Sequence, residues 1–529
     1  MVATFNSLDI VEQPKRSHRR RVALVRPAKI ASAGTWSLPV TPPLGPAYIA
    51  AVLREEGHEV MAVDAMAERL DQRIRDGHLM FQGLTIEETV NRIDPRAEVI
   101  GVTIMFTQDW PYAKRLIRAI RERFPEALIV AGGEHMTALP EFNLRDCPEL
   151  DVCVLGEGEE TMAELVQYAD RRDEFDRVKG VAFLKDGQYV QTCARQRIRD
   201  VEKLPQPAWD LFPIETYLSN RNAFGVYRGR SMAILATRGC PYKCTFCSNP
   251  SMYGVAWIAR QPESVLNEIE GYIRDYGAEN IDFYDLTMVL KREWILEFCG
   301  KIEERGLKFT WQLPSGTRSE VIDDEVAAAL YRTGCRNVTY APESGSVRTL
   351  QRIKKRLRLP RLLESVRAAL RNKIHVKCNI VLGFPDDERS DVLQTVAFCW
   401  KLAVMGIDAV EVMLFTPYPG SQLFDELRAD GTIGELDDEF FRSMVAFLDP
   451  FVPSKYCKHV GGLELSFWRF FTMGSFFAIS FALRPWRLVR LVVNIVKDRS
   501  ETVLEHRLGQ MLRRPSAKPA PVHAAPTVG

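Results

Sequence analysis

The chain has 529 residues, 46% of them apolar and 26% charged, with 70 Lys+Arg against 69 Asp+Glu. That length predicts two to four domains, each with a real core, and the near-zero net charge excludes a general nucleic-acid coat, which needs a basic surplus. The apolar content excludes disorder, and eleven cysteines dispersed over such a length do not read as a secreted disulfide framework.

Residues 1–21 form a basic tail ending in Lys15-Arg16-Ser17-His18-Arg19-Arg20-Arg21. No apolar stretch precedes that run, so it is not a secretory signal. Over 22–175, strands expected at Val22–Val25, Glu59–Asp64, Val99–Thr103, Leu128–Ala131 and Val152–Leu155 alternate with helical patterns such as Tyr112–Phe124 and Thr161–Ala169. This spacing predicts a doubly wound parallel sheet, whose ligands sit beyond the carboxyl ends of its strands. Gly132-Gly133-Glu134-His135 and Gly156-Glu157-Gly158 fall at two such ends, where glycines let a backbone approach a bulky ligand or simply make a tight turn.

Residues 176–225 read as a hairpin, turning at Lys185-Asp186-Gly187-Gln188, and a Pro-rich linker. From 226 to 434 a second α/β series places strands at Met232–Ala236, Asn280–Tyr284, Lys308–Leu313, Asn337–Ala341, Val376–Leu382 and Val410–Phe415. Six β/α repeats are too few for a closed eight-stranded barrel, so a partial barrel is expected. A helical region covers 435–512, and a Pro/Ala-rich tail expected to be disordered covers 513–529.

No stretch has the roughly 18–20 uncharged apolar residues of a membrane span. The nearest runs without a charge from Phe470 to Leu483, and then Arg484, Arg487 and Arg490 alternate with Trp486, Leu488, Leu491 and Val492. That pattern suits an interfacial helix with its arginines at headgroup level, and predicts peripheral membrane contact through 466–496.

Chemistry enters with Thr237-Arg238-Gly239-Cys240-Pro241-Tyr242-Lys243-Cys244-Thr245-Phe246-Cys247. Cys240, Cys244 and Cys247 form C-x3-C-x2-C, and three thiolates on one loop can hold three irons of a cubane cluster, leaving the fourth iron open. Structural zinc wants a fourth ligand, and no Cys or His lies within ten residues downstream of Cys247.

Arg238-Gly239-Cys240-Pro241 with this spacing at the end of a first barrel strand resembles the signature of radical S-adenosylmethionine (SAM) enzymes. The resemblance continues through Ile281-Asp282-Phe283-Tyr284-Asp285, Pro342-Glu343-Ser344-Gly345-Ser346, Leu382-Gly383-Phe384-Pro385 and Thr416-Pro417-Tyr418-Pro419-Gly420-Ser421. It implies a [4Fe-4S] cluster on the three cysteines, and SAM bound with help from Asp285, Glu343 and Ser344. It also implies reductive SAM cleavage to a 5′-deoxyadenosyl radical, with an electron donor such as flavodoxin or ferredoxin. The family's second strand often carries paired Asp residues, whereas Leu286 follows Asp285 here.

The N-terminal sheet resembles the Rossmann-like cobalamin-binding domain of cobalamin-dependent radical SAM enzymes, on Thr41-Pro42-Pro43-Leu44-Gly45, Gly132-Gly133-Glu134-His135-Met136-Thr137 and Gly156-Glu157-Gly158-Glu159-Glu160-Thr161. The D-x-H-x-x-G pattern that supplies a lower histidine ligand to cobalt is absent. The resemblance therefore implies base-off cobalamin along Gly132, Gly133, Glu134, His135, Gly156, Glu157 and Gly158, with His135 not an axial ligand. The tRNA methylthiotransferases share the cysteine spacing but need three further N-terminal cysteines, and here that half offers only Cys147, Cys153 and Cys193, all after the relevant loops.

The cofactor pair implies methylation of an unactivated carbon, with cyclisation or oxidation as in the anaerobic protoporphyrin ester cyclase as the alternative, and a corrinoid carrier or sensor with a degenerate barrel as a reading of another class. The segment 466–496 motivates a hydrophobic or lipid substrate. An oxygen-sensitive cluster places the protein in the cytoplasm, at the inner face of the membrane if that segment binds lipid; no nucleic-acid partner is expected.

Overall fold

A computed structural model describes residues 19–32, 39–76, 79–221, 223–318, 320–447, 449 and 451–512. Most of the basic tail and all of 513–529 lie outside these.

Strands β1 (Arg21–Arg26), β2 (Glu59–Asp64), β3 (Val99–Thr103), β4 (Leu128–Gly132) and β5 (Val152–Val154) lie parallel in the order β2-β1-β3-β4-β5. Their apolar runs are buried on both faces, as a helix-covered parallel sheet requires: β1 buries Val22 to Val25 without a break. The order reverses between β1 and β3, which opens a crevice at the carboxyl ends. The hairpin is not a free connector. Its strands β6 (Val181–Lys185) and β7 (Gln188–Gln191) continue the same sheet antiparallel from β5. A small antiparallel sheet of Lys29–Ser32, Arg73–Asp76 and Leu79–Gln82, which the sequence reading lacked, sits beside the main one.

The second sheet runs β8 (Ser231–Ile234), β9 (Asn280–Phe283), β10 (Thr310–Thr317), β11 (Cys335–Glu343), β12 (His375–Leu382) and β13 (Ala409–Leu414), all parallel and in sequence order. It is the open six-stranded partial barrel expected. The linker joins the units through packing: Trp209 is buried and donates from Nε1 to the Tyr272 hydroxyl at 3.0 Å, while Ala208 N–H donates to the Ala47 carbonyl at 3.0 Å.

Helix α1 (Arg389–Met405) covers the last barrel strands, and α2 (Gly462–Leu483) packs against α1 and β13. By length and composition α2 could cross a membrane, Glu464 and Arg469 included. Helix α3 (Trp486–Val496) follows, and α4 (Val503–Leu512) ties to the barrel through Arg507 and Glu411. One expectation is corrected here. The arginines of this region do not point to a headgroup layer: Arg484 donates to the Val404 carbonyl at 2.8 Å, Arg487 to the Ile407 carbonyl at 2.8 Å, and Arg490 to Glu505 at 3.0 Å. Helix-terminal carbonyls and buried carboxylates are stronger partners for guanidinium groups than water at these sites.

Candidate active site

The cysteine loop is built by its neighbours. Gly239 has φ +82°, and a Cβ there would stand 2.2 Å from the Ala256 carbonyl oxygen, so only glycine makes this turn. Asp285, just past β9, takes the Ala236 N–H at 3.2 Å, the Thr237 N–H at 2.5 Å and the Thr237 hydroxyl at 2.6 Å. Burial raises its pKa to about 6 against these hydrogen bonds. The carboxylate expected on SAM is thus given to the backbone that leads into the cysteines. Downstream, Thr245 N–H donates to the Ile353 carbonyl at 3.0 Å and Leu423 N–H to the Thr245 carbonyl at 2.9 Å, so both faces of the loop are stitched to the barrel rim.

Cys240, Cys244 and Cys247 are free and half-buried. Burial pushes the Cys247 thiol up to about 12 and raises that of Cys244, with Lys355 and Arg318 acting in the opposite direction on Cys244. Such thiols lose their protons on meeting metal. Among the described residues no three His, Cys, Asp or Glu side chains form a site for one metal ion. A cubane asks for less convergence, since each thiolate binds a different iron.

Glu343 ends β11 in the left-handed region, φ +66°, and its buried carboxylate meets the Nζ of Lys355, whose side chain is 10% exposed, at 2.8 Å. Lys355 also lies 5.9 Å over the Phe246 ring, between two of the cysteines. Glu343 therefore reaches the cluster loop. Ser344 does not: its hydroxyl is buried against Thr395 at 2.9 Å and accepts from Ser346 N–H at 3.1 Å. The expected SAM contact by Ser344 is corrected to a packing role, because Gly345 brings the chain so close to α1 that a Cβ would sit 2.4 Å from that of Phe398.

Several buried polar atoms on or near the loop have no hydrogen-bond partner among the described residues: Thr245 Oγ1, Thr317 Oγ1 and Arg318 Nε, the last on a guanidinium stacked over Tyr242. Buried polar groups are rarely left so. A bound molecule rich in hydroxyl, amine and carboxylate groups fits them, and SAM is one.

The loops of the first sheet meet this rim. Arg238 is buried between Glu157, at 3.2 Å, and Glu159, at 2.7 Å, and Arg197 holds Glu157 from the other side at 2.8 Å. Glu134, its pKa raised by burial, accepts from the hydroxyl of Ser248, the residue after Cys247. Glu134 and Glu157, both expected on cobalamin, thus serve as struts between the two sheets. His135 is a correction. Its ring is buried in the core of the first domain, 5.5 Å from the rings of both Trp110 and Phe441, with Nδ1 3.3 Å from the Thr107 hydroxyl. Burial drives its pKa down to about 3, so it is neutral and turned away from the crevice. Gly133, at φ +120°, is required by the approach of Ile104, whose carbonyl oxygen would lie 2.3 Å from a Cβ. Gly158 likewise leaves only 3.0 Å to Ile49 Cδ1, while Gly156 takes φ +71° and donates to the Thr137 hydroxyl. Gly132 ends β4 with its carbonyl accepting from Ile104 N–H at 2.7 Å.

Apolar residues stand exposed just past two strand ends: Met105 and Phe106, missed from sequence and following β3 beside the switch point, are 53% and 47% exposed, and Leu286, after β9, is 44% exposed. Apolar side chains left open at the ligand end of a parallel sheet fit a flat macrocycle such as a corrin. At the end of β1, Arg26 donates to the Tyr217 hydroxyl at 2.6 Å and lies 3.6 Å from Asp64. The signal was available, since each of these residues follows a recognised strand.

Two family models match the chain: the B12 binding domain over residues 37–166 and the radical SAM superfamily over 234–399. An uncharacterized methyltransferase of Pyrococcus horikoshii is 31% identical over 385 residues, covering 73% of this chain and 78% of that protein. The anaerobic magnesium-protoporphyrin IX monomethyl ester cyclase of Cereibacter sphaeroides is 27% identical over 75% of this chain, which spans 61% of the cyclase's length. Among solved structures, the radical SAM methyltransferase TsrM of Kitasatospora setae, with cobalamin and a [4Fe-4S] cluster bound, matches with a TM-score of 0.61 at 18% identity. The match covers 79% of this chain and 80% of that one, and shows the shared fold.

Proposed function

The chain belongs to the cobalamin-dependent radical SAM enzymes, and from that premise we propose that it methylates an unactivated carbon of a hydrophobic substrate. When bound, the [4Fe-4S] cluster, SAM and cobalamin supply an electron, a hydrogen-abstracting radical and a methyl carrier. The chain's own part is to bring them together and keep water out. Asp285 and Gly239 set the cysteine loop, Glu343 and Lys355 back it, and the unpartnered atoms of Thr317 and Arg318 receive SAM. Met105 and Phe106 offer the corrin an apolar seat. The observation that carries the reading is the strut of Arg238 between Glu157 and Glu159, which fixes the cysteine loop against the strand ends of the first sheet. The strut would keep a cluster and SAM on the barrel beside a corrin on the first sheet.

A reductant is required, and a flavodoxin or ferredoxin fits that need. The test is anaerobic turnover with SAM labelled in its methyl group and a lipid extract. Label recovered in an extractable lipid supports methyl transfer. Formation of 5′-deoxyadenosine with no label leaving SAM would replace the reading with cyclisation or oxidation, the activity named for the cyclase relative.

A further inference from the structure

Surface helices of water-soluble proteins turn polar residues outward. Helices α2 and α3 do the reverse. The inward stripe of α2 holds Arg469, Thr472 and Ser480 beside Leu465 and Phe476, and Arg469 donates to the Asp449 carbonyl at 2.8 Å. Its outward side presents Leu463, 81% exposed, with Phe467, Phe470 and Phe471. On α3 the inward groups are Arg487, Arg490 and Asn494, whereas Trp486, Val489, Val492 and Val496 are 60% exposed or more.

The apolar face is continuous. Trp400 of α1 is exposed, its ring 6.3 Å from Phe471 and its Nε1 donating to Ser475 at 2.8 Å. Phe451, 65% exposed, packs on Phe470 at 6.2 Å. Of the 24 large apolar side chains exposed among the described residues, 15 lie between Leu393 and Val496, so random scatter does not account for them.

Charge identifies the occupant. From Leu465 to Val496 the sequence has no acidic residue, and its four arginines are turned inward, so they neither add to nor oppose the charge of the outer face. The acidic residues at the two ends, Glu464 and Asp498, are paired with Arg389 and Arg221. Exposed Lys401, Lys497 and Arg499 belong to the same segments. An apolar face with a basic border matches the boundary between acyl chains and anionic headgroups, and tryptophans such as Trp400 and Trp486 favour that depth.

We propose that α1, α2 and α3 form a face that docks this enzyme on an anionic lipid bilayer without crossing it. A span would place lipid all around α2, yet its polar side is packed on α1 and β13. The face adjoins the crevice, since Phe447, four residues before Phe451, packs at 5.8 Å on Tyr418, which is half-buried and lies close enough to Glu134 to feel its charge. Resting on the methyl-transfer reading, this makes the methyl acceptor a molecule dissolved in the bilayer.

The experiment is co-sedimentation of the full-length enzyme with phosphatidylcholine vesicles, with and without phosphatidylglycerol. The wild type and an Ile74→Glu control should bind the anionic vesicles equally and the neutral ones more weakly. The Val489→Glu/Val492→Glu/Val496→Glu variant should bind at least ~tenfold less, with unchanged iron content and corrinoid absorption showing that it is folded. Equal binding by wild type and triple variant overturns the proposal. So does a wild type that ignores vesicles and forms a dimer that the variant abolishes, which would assign the face to a second copy. Formation of 5′-deoxyadenosine without vesicles checks the enzyme reading separately, so the two failures are distinguishable.

Discussion

Two side chains separate holding a cofactor from holding the fold. His135 is enclosed by aromatic rings, and its Nε2 has no hydrogen-bond partner among the described residues. The folded state keeps it neutral to a pKa of about 3, whereas the unfolded chain takes up a proton below ~6.5. Its contribution is therefore complete above that pH and is lost on acidification, at ~1.4 kcal/mol per pH unit, until the folded pKa is reached. Replacement by leucine should remove that dependence in urea unfolding between pH 7 and 5 while the purified protein keeps its corrinoid absorption. A colourless His135→Leu protein would show that the ring serves the cofactor. At the other site, Glu343→Gln leaves Lys355, only 10% exposed, without its carboxylate, a loss of up to ~3 kcal/mol. The double variant with Lys355→Met should regain most of that stability. If it regains stability but not SAM binding, measured calorimetrically, Glu343 contacts SAM as well as Lys355.

At the scale of elements, the cysteine spacing was legible because ligand type and loop length are local, and the strands because a two-sided parallel sheet writes unbroken apolar runs such as Val22–Val25. What the sequence hid was direction. Glu134, Glu157 and Asp285 stood at the right strand ends, but nothing local says whether a carboxylate faces a ligand or a neighbouring loop; Ser248, Arg238 and Thr237, which decide it, lie 114, 81 and 48 residues away in the chain. Inside-out helices were equally hidden, since an arginine beside a valine reads the same whichever points outward. The loop's dependence on one glycine gives a sharp test. Gly239→Ala keeps all three cysteines but puts a Cβ against the Ala256 carbonyl. Its iron and sulfide content after anaerobic reconstitution should fall to less than about half of wild type, because a clash with backbone must move the loop. Full cluster content would show that the turn is not needed.

Across the whole molecule, two sheets present their carboxyl ends to one crevice, and the struts of Arg238 and Glu134 hold them in register. The division of labour follows from that arrangement: radical generation on the barrel, cobalamin on the first sheet, and an apolar outer face on the C-terminal helices. If both cofactors act on one substrate, each productive turnover consumes one SAM as radical source and one as methyl donor. The most direct measurement is the ratio of 5′-deoxyadenosine to S-adenosylhomocysteine formed during anaerobic turnover with reductant and a bilayer-borne acceptor. The proposed reaction predicts that the two appear in equal amounts; 5′-deoxyadenosine formed with no S-adenosylhomocysteine would contradict it.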